Sequence, residues 1–342
     1  LTCSIDQANP LSRLEDDMRN VKQSMCLGAA ALFAALALWA PPSQAQNWPQ
    51  RSVRFILPLG PGSGVDISAR LFADRLAAKW GQPVVVENRP GGDAIVAINA
   101  FISAADDHTL LFSPASSFTA HPFLHAKVPY DPRDLSPIAR VSNTIVVVAV
   151  PGSSDLKTVK DLMELVKAQP GKLNFNTATG VTDFIFDGYF KKSGLAMTRV
   201  PYRDTVQALN DLGEGRIQMW SGALAIARPH VQSGRVRLIA ITNSQRPPGG
   251  PDVPTVTEAG YPELTFDGLV GLFGPPDMAA DLRERITADI RAVANDPEIN
   301  TRLTATGQVV SPGSASEFAA SIEAQRAAVA SFANTLGAKP SQ

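Results

Sequence analysis

The chain has 342 residues, room for two domains of ordinary size, and its 44% hydrophobic and 18% charged residues exclude a largely disordered polymer. Thirty-one basic residues balance 32 acidic ones for a formal net charge of -1, which leaves no electrostatic footprint for nucleic acid and no basic face for a membrane surface. A small molecule is the expected partner.

Residues 1–17 are polar and aperiodic and are set aside as an upstream extension. From Met18 onward, Arg19 and Lys22 precede an apolar run over 26–40, followed by Pro41, Pro42, Ser43, Gln44 and Ala45. A short positive region, an apolar stretch and small residues form the pattern of a secretory signal over 18–45, cut after Ala45, which sends the mature chain to the periplasm. A membrane anchor fits poorly, because a helix over 26–40 rises only about 22 Å against a hydrocarbon core of roughly 30 Å. Cys26 lies inside the apolar run rather than at its end, which speaks against lipid attachment. Cys3 and Cys26 are the only cysteines and both precede the cut. The mature chain therefore has no thiol for a disulfide, a nucleophile or a metal.

The mature chain opens with an expected strand (53–57), a glycine turn (60–64) and a helix (67–80) with Asp66 as its N-cap. Val84, Val85 and Val86 follow as a β-branched run that suits a strand buried on both faces, completing a βαβ unit with a right-handed crossover. Next come a helix over 93–104, a strand over 109–112 and a long apolar strand over 144–150. A second alternating series follows: helix 159–168, strand 173–176, helix 183–193, strand 197–201, helix 205–212, then strands 217–220 and 236–242. Two α/β domains in sequence account for this pattern. Residues 245–262 are rich in Pro and Gly and form an expected surface loop, 264–273 is a strand returning to the first domain, and helices over 278–294 and 316–336 complete it. Passages near 146–150 and 264–273 make a two-stranded hinge that permits closure. The limits are 46–147 with 269–342 for the first domain and 148–268 for the second.

Gly60, Gly62 and Gly64 cannot complete either nucleotide-binding spacing, G-x-G-x-x-G or G-x-x-x-x-G-K-[ST]. The generic physics of the loop remains: a glycine-containing turn feeding a helix N-terminus exposes amide hydrogens and partial positive charge, which suits a carboxylate. The run 176–182, with Thr177, Thr179 and Thr182, likewise follows a strand and precedes a helix that Asp183 can cap. One such loop per domain, at the carboxyl ends of parallel strands, is where open α/β sheets bind ligands. Catalytic patterns are wanting, since no G-x-S-x-G frames a serine. His121 and His125 have the i, i+4 spacing of a metal pair, but Pro122 intervenes and no third ligand is evident nearby, so they are taken as surface or capping residues. Asp106 and Asp107 belong to a loop.

Several passages together carry a family resemblance. They are Trp48-Pro49, the run 58–66 followed by Ala69-Arg70, the run 81–91 ending Glu87-Asn88-Arg89-Pro90-Gly91, and Pro129-Tyr130-Asp131-Pro132. Further along come Gln169-Pro170-Gly171-Lys172-Leu173-Asn174, Val200-Pro201-Tyr202 with 208–212, Pro251-Asp252-Val253-Pro254-Thr255-Val256 and Gly260-Tyr261-Pro262. Over essentially the whole mature chain the sequence resembles the extracytoplasmic solute receptors of the tripartite tricarboxylate transporter family, the Bordetella uptake or Bug receptors. The resemblance implies an α/β fold, a two-domain periplasmic binding protein or Venus flytrap with a two-stranded hinge. It also implies a cleft that holds a carboxylate mainly through backbone amides, hydroxyls and water, and delivery to membrane transporter subunits. By position the pocket falls on Leu59, Gly60, Gly62, Ser63, Gly64 and Asp66, on Gly91 and Gly92, and on Ser113, Ser116 and Ser117. In the second domain it falls on Thr177, Ala178, Thr179, Gly180 and Thr182, with Tyr202 and Ser221.

The chain departs from the family pattern at Leu59, usually aromatic, at Ser63 and Asp204, usually glycine, and at Ser221, often acidic. Asp93 interrupts a glycine-rich stretch. Two unit charges at 4 Å interact by about 4 kcal/mol at an effective dielectric near 20, so an ionised Asp93 in the pocket would penalise a simple dicarboxylate and favour an amino-acid-like ligand. Alternatively Asp93 caps the following helix and points away. The expected function is a monomeric periplasmic receptor for a small carboxylate or amino-acid-like solute, with no catalytic residues, cofactor or metal. A ligand sensor for a signalling partner fits the same features, and a periplasmic enzyme fits them less well.

Overall fold

A computed structural model describes residues 48–125, 127–177, 180–202 and 205–338. The expected extension and signal (1–45), and Ala178, Thr179 and Asp204, lie outside the described residues. Residues 51–342 form one compact unit, which contains the fold. It is built from two sheets.

The first sheet takes its order from β1 (Val53–Leu57), β2 (Val84–Asn88), β3 (Thr109–Pro114), β4 (Ser136–Thr144), β10 (Gly268–Gly274) and β11 (Gln308–Gly313), arranged β11-β4-β10-β3-β1-β2. β1 pairs in parallel with β2 and β3, and β10 runs antiparallel between β3 and β4. The second sheet contains β5 (Val146–Pro151), β6 (Asn174–Thr177), β7 (Thr198–Arg199), β8 (Met219–Ala223) and β9 (Val236–Ile241), in the order β7-β6-β8-β5-β9. The strand β5 is buried throughout: Val146, Val148 and Val150 enter one core, Val147 and Ala149 the other. That alternation on a fully apolar strand is what burial of both faces requires.

The helices of the first lobe begin with α1 (Gly64–Trp80), α2 (Ile95–Ala104) and the single turns α3 (Ser116–Thr119) and α4 (His121–Leu124). The second lobe has α5 (Val159–Ala168), α6 (Gly180–Lys192), α7 (Thr205–Gly213) and α8 (Leu224–Gln232), after which come α9 (Ala280–Ala294), α10 (Pro297–Ala305) and α11 (Ala315–Leu336). α11 begins with a reciprocal cap in which Ser314 and Glu317 satisfy each other's backbone amides, and it ends at left-handed Gly337. Its first half places Phe318 and Ile322 in the first lobe's core against Phe273. Its second half places Val329, Phe332 and Ala333 in the second lobe's core. There α6 carries Gly188, where an added Cβ would lie 2.6 Å from Phe332 Cβ.

The sheets change over at Ile145 and between 242 and 267, two crossings of the chain. Asn243 ties them together: its Oδ1 accepts from Val146 N at 2.9 Å, and its Nδ2 donates to Thr144 O at 2.9 Å and to Asn143 Oδ1 at 3.2 Å.

Several sequence expectations change in three dimensions. The valine run of β2 is at the sheet edge with β1 as its neighbour, and Val85 is 49% exposed rather than buried on both faces. The 245–262 segment is not all surface, because Thr255 and Val256 are buried and Val256 joins the second lobe's core. The strands β4 and β11 and the helices α8 and α10 add elements that apolar periodicity does not reveal.

Candidate functional site

Leu57, Asn88 and Pro114 end three parallel strands, and the loops they release carry the first-lobe residues expected at a ligand. The loop after β1 is held by one buried carboxylate. Asp66 accepts from Gly62 N at 2.9 Å, from Asn88 Nδ2 at 2.9 Å and from Arg70 Nε and a terminal nitrogen at 3.1 and 3.0 Å. Asn88 Nδ2 also donates to Leu59 O at 2.8 Å. Burial pushes the Asp66 carboxyl up, but the bonds from Arg70, Gly62 and Asn88 outweigh it and hold it below its ordinary value. Asp66 is therefore not the N-cap. That role falls to Ser63, whose Oγ accepts from Asp66 N at 3.2 Å. The arrangement leaves Gly60 and Gly62 facing open space at the amino end of α1, while Gly64 is pressed against Thr306 and Gln308.

The loop after β2 runs through four consecutive positive φ angles: Gly91 at 119°, Gly92 at 55°, Asp93 at 53° and Ala94 at 73°. This backbone favours glycine, and aspartate is among the residues that tolerate it. Asp93 does not cap α2, whose N-cap Ala94 makes no side-chain bond. Its carboxylate instead meets two histidines, at 3.5 Å from His121 Nε2 and 3.2 Å from His125 Nε2. His121 Nε2 also lies 2.8 Å from the Asp93 carbonyl oxygen, and its Nδ1 lies 2.6 Å from Tyr130 Oη. His121 is thus buried rather than a surface or capping residue. His121 and then His125 hold the Asp93 carboxyl below its ordinary value against the effect of burial. The third ligand that sequence spacing does not supply is Asp93.

Ser113, Ser116 and Ser117 lie where β3 passes into α3. Ser113 is fully buried and donates from Oγ to Pro114 O at 3.0 Å, while Ser116 and Ser117 are half-buried. The chain then carries Phe123 and Leu124 onto the second lobe. An added Cβ on Gly180 would lie 2.6 Å from Leu124 Cδ1, and Phe123 packs edge-on against Phe184 with ring centroids 5.9 Å apart. Sequence patterns do not point to either residue, since their partners lie far along the chain in another lobe.

In the second lobe Thr177 and Thr182 are buried, and Thr177 Oγ1 donates to Asp183. Asp183 sits inside the first turn of α6 rather than capping it, and it also binds Arg199 at 2.8 Å. Burial raises its carboxyl, opposed by Thr177 and Arg199. Tyr202 donates to Asp211 Oδ2 at 2.7 Å, which fastens the loop after β7 to α7, and burial together with Asp211 pushes the phenol up to about 12. Ser221 is fully buried on β8 opposite Thr177, and its Oγ has no hydrogen-bond partner among the described residues. Two cavities lie elsewhere. One of about 540 Å³ is lined by the crossover residues Asn143, Asn243 and Asp267, and one of about 900 Å³ lies between α9 and the start of α11. None of the described residues expected at the ligand lines either.

What the loops share is chemistry suited to holding an anion: open glycines at a helix N-terminus, and hydroxyls. Among the described residues, no helix is long and apolar enough to cross a membrane. A sequence profile of the tripartite tricarboxylate transporter family receptor matches residues 68–336. A UPF0065 protein of Bordetella bronchiseptica is 31% identical over 307 residues, covering 89% of this chain and 91% of that protein. Protein BugT of Bordetella pertussis is 32% identical over 254 residues, covering 73% of this chain and 78% of BugT. The structure of R. palustris Rpa4515 with adipate superposes with a TM-score of 0.73 at 25% identity, covering 86% of this chain and 99% of that one. The two-sheet fold is that of a periplasmic binding protein, and the family is one of solute receptors rather than enzymes. The chain belongs to the tripartite tricarboxylate transporter family receptors.

Proposed function

We propose that this chain captures a small carboxylate in the periplasm and presents it to the membrane subunits of a tripartite transporter. The observation that carries this reading is the 59–63 loop. Its backbone is fastened from behind by Asp66 and Asn88, and its Gly60 and Gly62 face open space at the amino end of α1. A carboxylate placed there meets the favourable end of the α1 dipole, while the Gly62 amide stays with Asp66 and holds the loop in shape. The adipate carried by the R. palustris relative is a ligand of this chemical class.

In this reading Leu59, Gly60, Gly62, Ser63 and Gly64 take one carboxylate end, with Gly91, Gly92, Ser116 and Ser117 beside it. Thr177, Ala178, Thr179, Gly180 and Thr182 approach from the second lobe. Asp66 and Tyr202 act behind the pocket wall by fixing loops. The chain is exported by cleavage after Ala45 and works as a monomer, with 46–147 and 269–342 moving as one domain against 148–268.

Titration calorimetry on ligand-free protein with adipate, succinate, citrate and a set of amino acids tests the reading. The expected result is one site per chain, the ligand recovered unchanged, and a smaller particle in solution scattering when bound. Failure of every carboxylate to bind, or a chemically altered product that depends on the protein, overturns it.

A further inference from the structure

The cluster of Asp93, His121 and His125 stands behind the Gly91–Gly92 turn, which His121 ties down through the Asp93 carbonyl, and its side chains differ in chemistry from the glycines and hydroxyls expected at the carboxylate. One donor atom from each residue lies within 4.8 Å of the other two, a grouping able to hold a metal ion. We propose that these three side chains form a binding site for a divalent first-row transition cation, with zinc as the representative. Two imidazoles and one carboxylate are a donor set that such cations accept, whereas magnesium and calcium favour all-oxygen shells.

The geometry is close to what coordination needs. Metal bonds of about 2.0–2.1 Å at tetrahedral angles put neighbouring donor atoms about 3.3 Å apart. The Asp93 carboxylate oxygen is 3.5 Å from His121 Nε2 and 3.2 Å from His125 Nε2. The histidine donors lie within 4.8 Å of each other, and His125, the partly exposed histidine on the residue that follows α4, is placed to turn toward the other two.

The support behind the donors is also in place. His121 has a side chain 1% exposed, and its Nδ1 faces Tyr130 Oη at 2.6 Å. Without a cation, the Nε2–H of His121 donates to the Asp93 carbonyl and Nδ1 accepts from Tyr130. With a cation, the Nε2 lone pair becomes a ligand, the ring proton sits on Nδ1, and Nδ1–H donates to Tyr130. A ligating histidine whose other nitrogen is held by a neighbour in this way is oriented and made more basic.

Access completes the argument. Asp93 is 55% exposed and His125 30% exposed, so the cation enters from solvent and keeps open positions for water. The left-handed backbone at Asp93 and Ala94 turns this carboxylate toward the histidines.

The test uses solute-free protein stripped with a chelator, so that its outcome is independent of the carboxylate reading. Zinc titration by calorimetry should show one ion per chain, and cobalt should compete and develop the visible absorption of a low-coordinate nitrogen-ligated site. Asp93→Gly and His125→Ala should each weaken zinc by about 100-fold or more, and Tyr130→Phe by roughly 10-fold. Asp93→Gly suits the left-handed backbone, so its fold is retained, and thermal melting without metal checks this. Absence of saturable one-to-one binding in the folded wild type, or zinc affinity in Asp93→Gly and His125→Ala equal to that of wild type, overturns the proposal.

Discussion

Two aspartates organise neighbouring loops at the edge of the first sheet, and their surroundings are opposite. Asp66 is buried and every direction of its carboxylate is taken, by a backbone amide, an amide side chain and a guanidinium. Asp93 is more than half exposed, on backbone that favours glycine, and it faces two imidazoles whose lone pairs can turn outward. A saturated carboxylate fixes a loop. An unsaturated one keeps coordination capacity for something from solution, and the difference comes from its neighbours rather than from the residue type.

The largest test of this contrast is Asp66→Ala, which leaves Gly62 N, Asn88 and Arg70 without their shared acceptor. Urea unfolding should show a loss of about 3 kcal/mol, and a loss below about 1 kcal/mol would mean that the network is ornamental. The same group predicts a pH effect. Its folded carboxyl lies below the ordinary value of 3.8, so its contribution is complete above about pH 4 and is lost as pH falls through the folded value. Asp66→Asn should flatten the acid limb of the stability curve, and an unchanged limb would assign acid sensitivity to other carboxylates. Next in size is Ser63→Ala, expected to cost about 1 kcal/mol through loss of the α1 cap. Smallest is Asp93→Gly, where relief of left-handed backbone offsets the lost histidine contacts and metal-free stability should stay within about 1 kcal/mol of wild type. If it proves as costly as Asp66→Ala, Asp93 is structural and the contrast collapses.

The fold is largely legible in the sequence because its parallel strands are apolar runs separated by amphipathic helices and glycine turns, as in 53–57 with 67–80. Elements without that signature stay hidden. β11 carries Pro312 at the outer edge of its sheet, and α8 contains Pro229, so both break the local rules by which a strand or a helix is recognised. The valines of β2 mislead in the other direction, since a β-branched run reports strand preference and not position in the sheet. At the site, the glycine and threonine loops follow from strand–turn–helix order. The Asp93 cluster does not, because 28 residues separate Asp93 from His121 and only the pairing of β1 with both β2 and β3 brings their loops together. The spacing of His121 and His125 is visible in the sequence, but the third donor is not.

Two crossings of the chain between the lobes, at Ile145 and between 242 and 267, define an axis, and alone they would let the lobes swing like a door. α11 adds a strut across the same joint, rooted at Phe318 in one core and at Phe332 in the other. A rigid rod attached on both sides opposes a free swing, and relative motion of the lobes, if they close as proposed, is expected as a small shear of α11 along α6. Gly188 is the bearing surface of that slide, the point where Phe332 rides directly on backbone. A methyl added there would lie 2.6 Å from Phe332 Cβ, so Gly188→Ala is expected to wedge α11 away from α6 at a position remote from the loops proposed to hold the solute.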